Sequence, residues 1–337
     1  MMMYRSCHQQ QCLLKNSLKR MLLIDVREKV FNISRIRRST SSATSSFSHP
    51  HDTLHITEQK HSHESTQADI AKSLRTHYIT QTPTVLRQPY INADALYLWN
   101  NLNYLRIAVG EDVACDVEIG GDNYSNAERA QITFGEYLDY IALFLQKEQS
   151  TDKHNSQHDR SQQEPLIYLA QNELFPNLKS DFTIPTLCTD SSYGIGHGKL
   201  YHTMIWFGPK GCVSPLHYDP LDNLLIQFVG RKRILLYPPS KSSSSSFIED
   251  HDIFSQEAYG KSEQVSSWHY AGYNKTQYNT SPIDIEKPDY QTYPDFANAP
   301  VPIECILYPG DILFIPQRWW HHVRSLDTSI SVNVWWR

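Results

Sequence analysis

Cysteine is scarce in this chain of 337 residues, and its six copies are scattered. They stand at Cys7, Cys12, Cys115, Cys188, Cys212 and Cys305, so no C-x-x-C pair is present. This spacing argues against a disulfide framework and suits a reducing compartment, so we expect a protein that is not secreted. The chain also lacks a run of about eighteen apolar residues, so we expect no membrane-spanning helix.

Positive charge is not in excess either. The formal net charge is −5 at pH 7, which argues against a broadly basic surface for nucleic acid. A protein or peptide partner, or a small molecule, is therefore favoured. Hydrophobic residues make up 40% of the chain, which is ample for the core of one large folded domain.

The first fifty residues differ in composition from the rest. Arginine and lysine outnumber the two acidic residues there, Asp25 and Glu28, and residues 39–48 are nearly all Ser and Thr. Two interpretations stay open: a mitochondrial transit peptide, or a disordered basic tail of a cytoplasmic or nuclear protein. A His-rich polar stretch follows. We therefore predict an unstructured segment over residues 1–70 and one folded domain over residues 71–337.

Short strands separated by turn residues dominate after residue 165, which is typical of a barrel or a sandwich. Between residues 84 and 146 the periodicity predicts helices at about 93–100 and 133–146. The second of these opens on Thr133 and Glu136, which have the spacing of a capping box.

Strands are predicted at residues 84–86, 102–109 and 112–119 in the same region. Two polar stretches, at about 146–164 and 240–278, interrupt the domain and are expected to be insertions.

The most informative motif is His217-Tyr218-Asp219 together with His321 about a hundred residues later. Alternate side chains of a strand point to the same face, so His217 and Asp219 can reach one ion while Tyr218 points away. Two histidines and one carboxylate form the facial triad that holds non-haem Fe(II) and leaves coordination positions open. His322 is an alternative to His321 as the third ligand.

Longer motifs surround these residues. The strings SPLHYDPLDNLLIQFVGRKRILLYPP and LYPGDILFIPQRWWHHVRSLDTSISVNVWW resemble the Jumonji C (JmjC) family of Fe(II)/2-oxoglutarate oxygenases, of the small hydroxylase type. The resemblance covers roughly residues 84–337. It implies a mainly β fold, namely a double-stranded β-helix (a jelly-roll, cupin-like barrel) with N-terminal helices packed outside.

The resemblance also implies a set of site residues. His217, Asp219 and His321 would bind Fe(II), and 2-oxoglutarate and O2 would be the cosubstrates. Lys232 matches the cation that meets the C5 carboxylate of 2-oxoglutarate. The remaining residues assigned to the cosubstrate pocket are Tyr168 and Ser214 as hydroxyl partners, Asn223 near the C1 carboxylate, and Trp206 and Trp335 as walls.

The function implied is hydroxylation of a protein side chain of the arginine or lysine class. Demethylation of N-methyl-lysine in histones, hydroxylation of tRNA, and a non-catalytic cupin-like binding role remain as alternatives. No Cys/His zinc cluster or histone-reading segment is visible in the sequence, which weakens the demethylase alternative.

The transit-peptide interpretation can be tested on the N-terminal segment alone. It predicts that residues 1–50, fused ahead of a fluorescent protein, direct the fusion to mitochondria, because the segment is rich in Arg and Ser and poor in acidic residues. Fluorescence microscopy is the measurement, with an Arg37→Gln, Arg38→Gln fusion as control. Diffuse cytosolic and nuclear fluorescence from the unaltered fusion would instead favour a cytoplasmic or nuclear protein.

Overall fold

The computed structural model of the chain describes residues 53–61, 66–89, 93–120, 128–151, 165–239, 268–270 and 279–337. The basic first fifty residues and most of both expected insertions lie outside these ranges, so what the sequence predicts for them stays a prediction. None of the helices in the described ranges is long and apolar enough to cross a membrane.

The described residues form mainly strands. The strands, numbered in chain order, are β1 Leu54–His55, β2 Thr57–Lys60, β3 Thr84–Arg87, β4 Ala114–Ile119, β5 Glu128–Thr133, β6 Ile167–Glu173, β7 Leu200–Gly208, β8 Val213–Tyr218, β9 Asp222–Val229, β10 Lys232–Tyr237, β11 Ile303–Leu307, β12 Ile312–Ile315, β13 Trp320–Ser325 and β14 Ser329–Trp336. The α-helices are α1 Gln67–Thr80, α2 Ala95–Leu98, α3 Leu102–Val109 and α4 Phe134–Thr151.

The strands form two sheets. One has five strands in the order β1-β11-β10-β13-β8, and the other has nine in the order β2-β3-β12-β9-β14-β7-β6-β4-β5. Successive strands such as β8 and β9, and again β12 and β13, belong to different sheets, so the chain crosses repeatedly between them. This is the connectivity of a jelly roll. The predicted mainly β jelly-roll fold is confirmed.

Both sheets are covered on their outer faces. Apolar side chains of the two sheets, Leu225 and Ile234 among them, meet in a cluster between the sheets. The helices cover the outer face of the nine-stranded sheet, where Ile70 of α1 and Trp336 of β14 share a second apolar cluster, called here the helix-side cluster. Residues 283–299 cover the outer face of the five-stranded sheet. Each central strand therefore has one face toward the interior of the sandwich and one toward an outer layer.

The helix predicted at residues 133–146 is confirmed and begins with the expected capping box. The Thr133 backbone N–H donates to Glu136 Oε2 at 2.9 Å, and the Glu136 N–H donates to Thr133 Oγ1 at 3.2 Å. The helix continues to Thr151, so it includes the first residues of the stretch that the sequence analysis assigned to an insertion.

Two predictions for the N-terminal half are wrong. Residues 102–109 form helix α3 rather than a strand, because Asn101 caps them by accepting from the N–H groups of Asn103 and Tyr104. The segment predicted to be unstructured, residues 1–70, includes regular structure at its end. Residues 54–60 pair in both sheets, and α1 begins at Gln67. Thr66 and Asp69 form a capping box at the start of α1, a signal that was present in the sequence.

The turn between β9 and β10 requires glycine at position 230. Gly230 has φ +65°, in the left-handed region, and an added Cβ would overlap the carbonyl oxygen of Thr328. Gly120 has φ +87° but no atom within 4 Å of its would-be Cβ. A comparison of substitutions at the two glycines therefore separates the cost of a left-handed backbone from the cost of steric overlap.

We predict that Gly120→Ala lowers the free energy of unfolding by about 1 kcal/mol, the cost of a left-handed backbone with a Cβ. Gly230→Ala should lower it by about 3 kcal/mol, because the backbone carbonyl of Thr328 cannot move aside cheaply. Urea denaturation of both variants is the measurement. Equal losses for the two variants would show that the close approach to Thr328 is not what requires glycine.

Candidate metal and cosubstrate site

A narrow cavity lies between the two sheets. It is lined by side chains from both sheets, so the chain must be fully folded before the cavity exists. All the site residues expected from the sequence line it except Asn223: His217, Asp219, His321, Tyr168, Trp206, Ser214, Lys232 and Trp335.

Three of these residues converge at one end. One potential ligand atom each from His217, Asp219 and His321 lies within 4.8 Å of the other two. The pairing of β8 with β13 produces this geometry, because it places His321 directly across from His217. The two imidazole rings lie 4.1 Å apart between centroids. In the described part of the chain this is the one group with such spacing.

His321, rather than His322, belongs to this group. Successive residues of β13 point to opposite faces, so His322 points away from the cavity into the outer layer. It lies close enough to Glu286 there for its charge to lower the pKa of that carboxyl. The geometry thus selects the first histidine of the pair.

Both imidazoles are held in one orientation. His217 Nδ1 lies 2.7 Å from the carbonyl oxygen of Pro215, and His321 Nδ1 lies 2.9 Å from that of Trp319. A carbonyl oxygen can only accept, so each Nδ1 carries the hydrogen and each Nε2 offers its lone pair. Burial lowers the pKa of His321 to about 4, so this imidazole is neutral at pH 7, the form that binds a metal ion.

Asp219 is oriented by two donors that the sequence did not assign to it. The indole N–H of Trp335 donates to Asp219 Oδ2 at 3.1 Å, and Asn223 Nδ2 donates to the same oxygen at 3.3 Å. Trp335 therefore both lines the cavity and orients the Asp219 carboxylate. Asn223 is buried beside Asp219, where its Oδ1 has no hydrogen-bond partner among the described residues, and its assignment to the C1 carboxylate stays a prediction.

Lys232 lies at the other end of the cavity as a buried cation. Its side chain is 1% exposed, and its Nζ donates to Ser331 Oγ at 2.7 Å and to the Tyr168 hydroxyl at 3.3 Å. Burial lowers the pKa of Lys232 to about 7, and no carboxylate of the described residues opposes that shift. Its neighbours in the sequence differ, since Arg231 pairs with Asp327 and Arg233 with Glu304.

Ser331 and Asn333 also line the cavity and were missed by the sequence analysis. Strand β14 alternates, with Ser331 and Asn333 facing the cavity while Val332 and Val334 belong to the helix-side cluster. Polar residues at every second position of an otherwise apolar, fully buried strand were the signal, because burying polar groups without a use for them is costly.

A buried carboxylate lies beside the cavity at Glu118. It is 4% exposed and stands opposite Tyr168 in the pairing of β4 with β6, so both side chains point to the same face. Arg129 donates to it at 3.0 Å from a side chain that is 62% exposed. Burial raises the pKa of Glu118, and the charge of Arg129 and its hydrogen bond oppose that rise.

The donor set fits a ferrous ion. Two imidazoles and a carboxylate that converge at one end of the cavity match the facial arrangement used by non-haem iron oxygenases, whereas structural zinc is normally enclosed by four protein ligands. Trp206 Nε1 is a buried donor at the cavity wall without a partner among the described residues. Together with Lys232, it leaves the cavity with unused capacity to bind an oxygen-rich anion.

Known proteins resemble this chain over most of its length. Residues 70–337 match the family described as "Cupin-like domain". The chain is 34% identical to "Lysine-specific demethylase 8" of Xenopus tropicalis over 270 residues, which is 78% of this chain and 50% of that protein. It is 35% identical to "Jumonji C domain-containing protein 5" of Drosophila melanogaster over 257 residues, 75% of this chain and 54% of that protein.

A relative whose name refers to tRNA also matches. "tRNA wybutosine-synthesizing protein 5" of Danio rerio is 32% identical over 163 residues, 48% of this chain and 39% of that protein. The chain spans about half the length of the first two relatives. The family match, the jelly-roll fold and the His-Asp-His group agree, and the chain belongs to the cupin-like domain family, as one of its JmjC members.

Proposed function

We propose that this protein is an Fe(II)- and 2-oxoglutarate-dependent dioxygenase that hydroxylates an arginine or lysine side chain of a protein substrate. The observation that carries the proposal is the buried Lys232, a cation without an anionic partner in the described structure, in the same cavity as the His217, Asp219 and His321 group.

Burial of the Lys232 ammonium costs free energy unless an anion binds to it. An unpaired buried ammonium loses its hydration, and the two hydroxyls that it contacts return only part of that loss. The distal carboxylate of 2-oxoglutarate would supply the missing charge, with Tyr168 and Ser331 as further hydrogen-bond partners. The keto end of the cosubstrate would then point toward the metal ligands at the other end of the cavity.

An Fe(II) ion bound there would supply the oxidation: 2-oxoglutarate and O2 give succinate and CO2, and the second oxygen atom enters a substrate C–H bond. The residues of the chain would bind, orient and exclude water. His217 and His321 present their Nε2 atoms, Trp335 and Asn223 hold Asp219, and Lys232 anchors the cosubstrate. This chemistry needs no general base from the protein.

The substrate class rests on Glu118. A buried carboxylate that shares a face with Tyr168, and whose ionic partner Arg129 is largely exposed, would attract a cationic side chain entering from solvent. An arginine or lysine side chain could replace the Arg129 guanidinium there without leaving Glu118 unpaired. The formal charge of −5 favours a protein substrate over tRNA, although one relative is named as a tRNA wybutosine-synthesizing protein.

We predict that the protein with Fe(II), 2-oxoglutarate and O2 adds one oxygen atom to arginine- or lysine-containing peptides, detected by mass spectrometry of a peptide library. His217→Ala should abolish both peptide oxidation and succinate formation while the protein stays folded, because the lost imidazole is a metal ligand rather than part of the core. Loss of a methylene from methyl-lysine peptides instead would identify a demethylase. Oxidation of tRNA alone would remove the protein-substrate proposal.

Glu118→Gln separates substrate binding from cosubstrate turnover. The variant should oxidise the same peptides more slowly, with a raised KM for peptide, while its peptide-independent succinate formation stays near that of the wild type. A loss of both activities would place Glu118 among the residues that maintain the site rather than among those that bind substrate.

We predict that Lys232→Met raises the KM for 2-oxoglutarate on the order of a hundredfold, because the C5 carboxylate loses its counter-charge in a buried part of the protein. Methionine retains most of the lysine volume, so iron binding should not change. Arg231→Met is the matched control and should leave the KM near that of the wild type. Steady-state succinate assays measure both, and an unchanged KM in Lys232→Met would place the anchor elsewhere.

The lowered pKa of Lys232 also predicts how the stability of the metal-free protein depends on pH, and Lys232→Met tests this. The pKa of Lys232 is lowered from its ordinary 10.5 to about 7, so the unfolded state binds more protons between these values and stability rises with pH across that window. Thermal unfolding of the wild type should therefore show a rise between about pH 7 and 10.5 that Lys232→Met lacks. Parallel curves for the two proteins would mean that Lys232 is not buried as a neutral amine.

A further inference from the structure

The turn that leads into His321 is held in a strained conformation. Residues 316–319 connect β12 to β13, and Arg318 within them has φ +64°, in the left-handed region that costs a non-glycine residue free energy. Such a conformation persists only where its surroundings hold it. Because His321 Nδ1 bonds to the carbonyl of Trp319, whatever holds this turn also sets the direction of the imidazole.

Three contacts hold the turn from three directions. The Arg318 N–H donates to the carbonyl of Asp219 at 2.7 Å. The Trp319 indole donates to the carbonyl of Gln81, at the end of α1, at 2.8 Å. The Gln317 N–H donates to Asp222 Oδ1 at 3.0 Å. Of the three acceptors, two are backbone carbonyls and only the last is a side chain.

Asp222 does not face the cavity. It is the first residue of β9 and pairs across the sheet with Trp336, which belongs to the helix-side cluster, so both side chains point to the outer layer. The side chain is 2% exposed, and burial raises its pKa to about 6. Tyr78 and Cys188 lie close enough for the Asp222 charge to raise their pKa values, and Arg337 partly offsets the burial.

A buried carboxylate in this position is expensive as packing alone. Its hydrogen bond within the described structure goes to the Gln317 N–H, and a small apolar residue would fill the same layer without the burial cost. The one feature that the carboxylate supplies and an apolar residue cannot is an acceptor that fixes the turn before His321.

We infer that Asp222 is a positioning residue for the third metal ligand: it pins Gln317, and through the turn it sets the orientation of His321. The inference rests on the proposed metal site. Partners that orient ligands commonly change metal affinity by about ten- to a hundredfold when they are removed. Asp222 should act on metal affinity without touching metal, cosubstrate or substrate.

Cobalt(II) is a suitable probe, because its visible absorption reports coordination and it binds without turnover. Metal-free wild type, Asp222→Ala, Asp222→Asn and Cys188→Ala would be titrated with Co(II) alone. We expect Asp222→Ala to bind Co(II) at least about tenfold more weakly, with an altered spectrum. Asp222→Asn keeps a side-chain oxygen for the Gln317 N–H and should bind like the wild type.

Cys188→Ala controls for loosening of the same outer layer, because Cys188 is fully buried near Asp222 and no hydrogen bond joins it to the turn. Its Co(II) affinity should match the wild type. If Asp222→Ala does not fold, the Asp222→Asn variant still decides, because a tenfold loss there overturns the acceptor role.

The outcomes separate this inference from the proposed function. A wild type that binds no Co(II) removes the metal site itself. A wild type that binds Co(II), with an Asp222→Ala variant that binds it equally well, overturns the positioning role and leaves the metal site standing. Equal weakening in Asp222→Ala and Cys188→Ala also overturns it, since general packing would then explain the effect.

Discussion

The register of β8 against β13 is the constraint on which the site depends. It sets His321 across from His217 and Trp320 across from Tyr218, so one face of the pair holds the two histidines of the candidate metal site and the other packs outward. A slip of one residue would exchange these faces and bring Trp320 and His322 into the cavity. The outward face opposes such a slip, because the rings of Tyr218 and Trp320 pack with centroids 4.8 Å apart.

An ion pair secures the same register further along β13. Arg324 donates from Nε and Nη2 to the two carboxylate oxygens of Glu286. Its Nη1 also donates to the carbonyl of Gly211, ahead of β8, at 3.0 Å. Glu286 belongs to the segment that covers the outer face of the five-stranded sheet. The outer layer thus stabilises the alignment of His217 and His321, although none of its described residues lines the cavity.

Two contrasting sets of buried polar groups occur among the described residues. Asp181 accepts from the Trp99 indole at 2.7 Å and the Tyr104 hydroxyl at 2.8 Å, and Asp311 binds Arg87. These carboxylates are well partnered and join parts of the fold. Around the cavity, by contrast, Lys232 lacks a counter-ion among the described residues and Trp206 Nε1 lacks an acceptor. Buried groups left in this state are what a binding site for an anion requires.

Much of this protein was determined by its sequence. Three of its features are local patterns: the i, i+2 spacing of His217 and Asp219, the strand periodicity after residue 165 and the capping box at Thr133. Such patterns can be recognised from a short stretch of sequence alone. The error at residues 102–109 arose because an eight-residue apolar stretch reads equally well as strand or helix. The cap from Asn101 and the burial of Leu105 beneath the sheet decided for helix.

Only the tertiary structure could decide contacts between distant residues. The approach of His321 to His217, the donation from Trp335 to Asp219, and the contact of Lys232 with Ser331 all join strands from different parts of the chain. Each depends on the register of a sheet, and register is set by the packing of both faces at once rather than by any one strand. The sequence therefore determined which chemical groups are available, and the folding of two sheets against each other decided which of them meet.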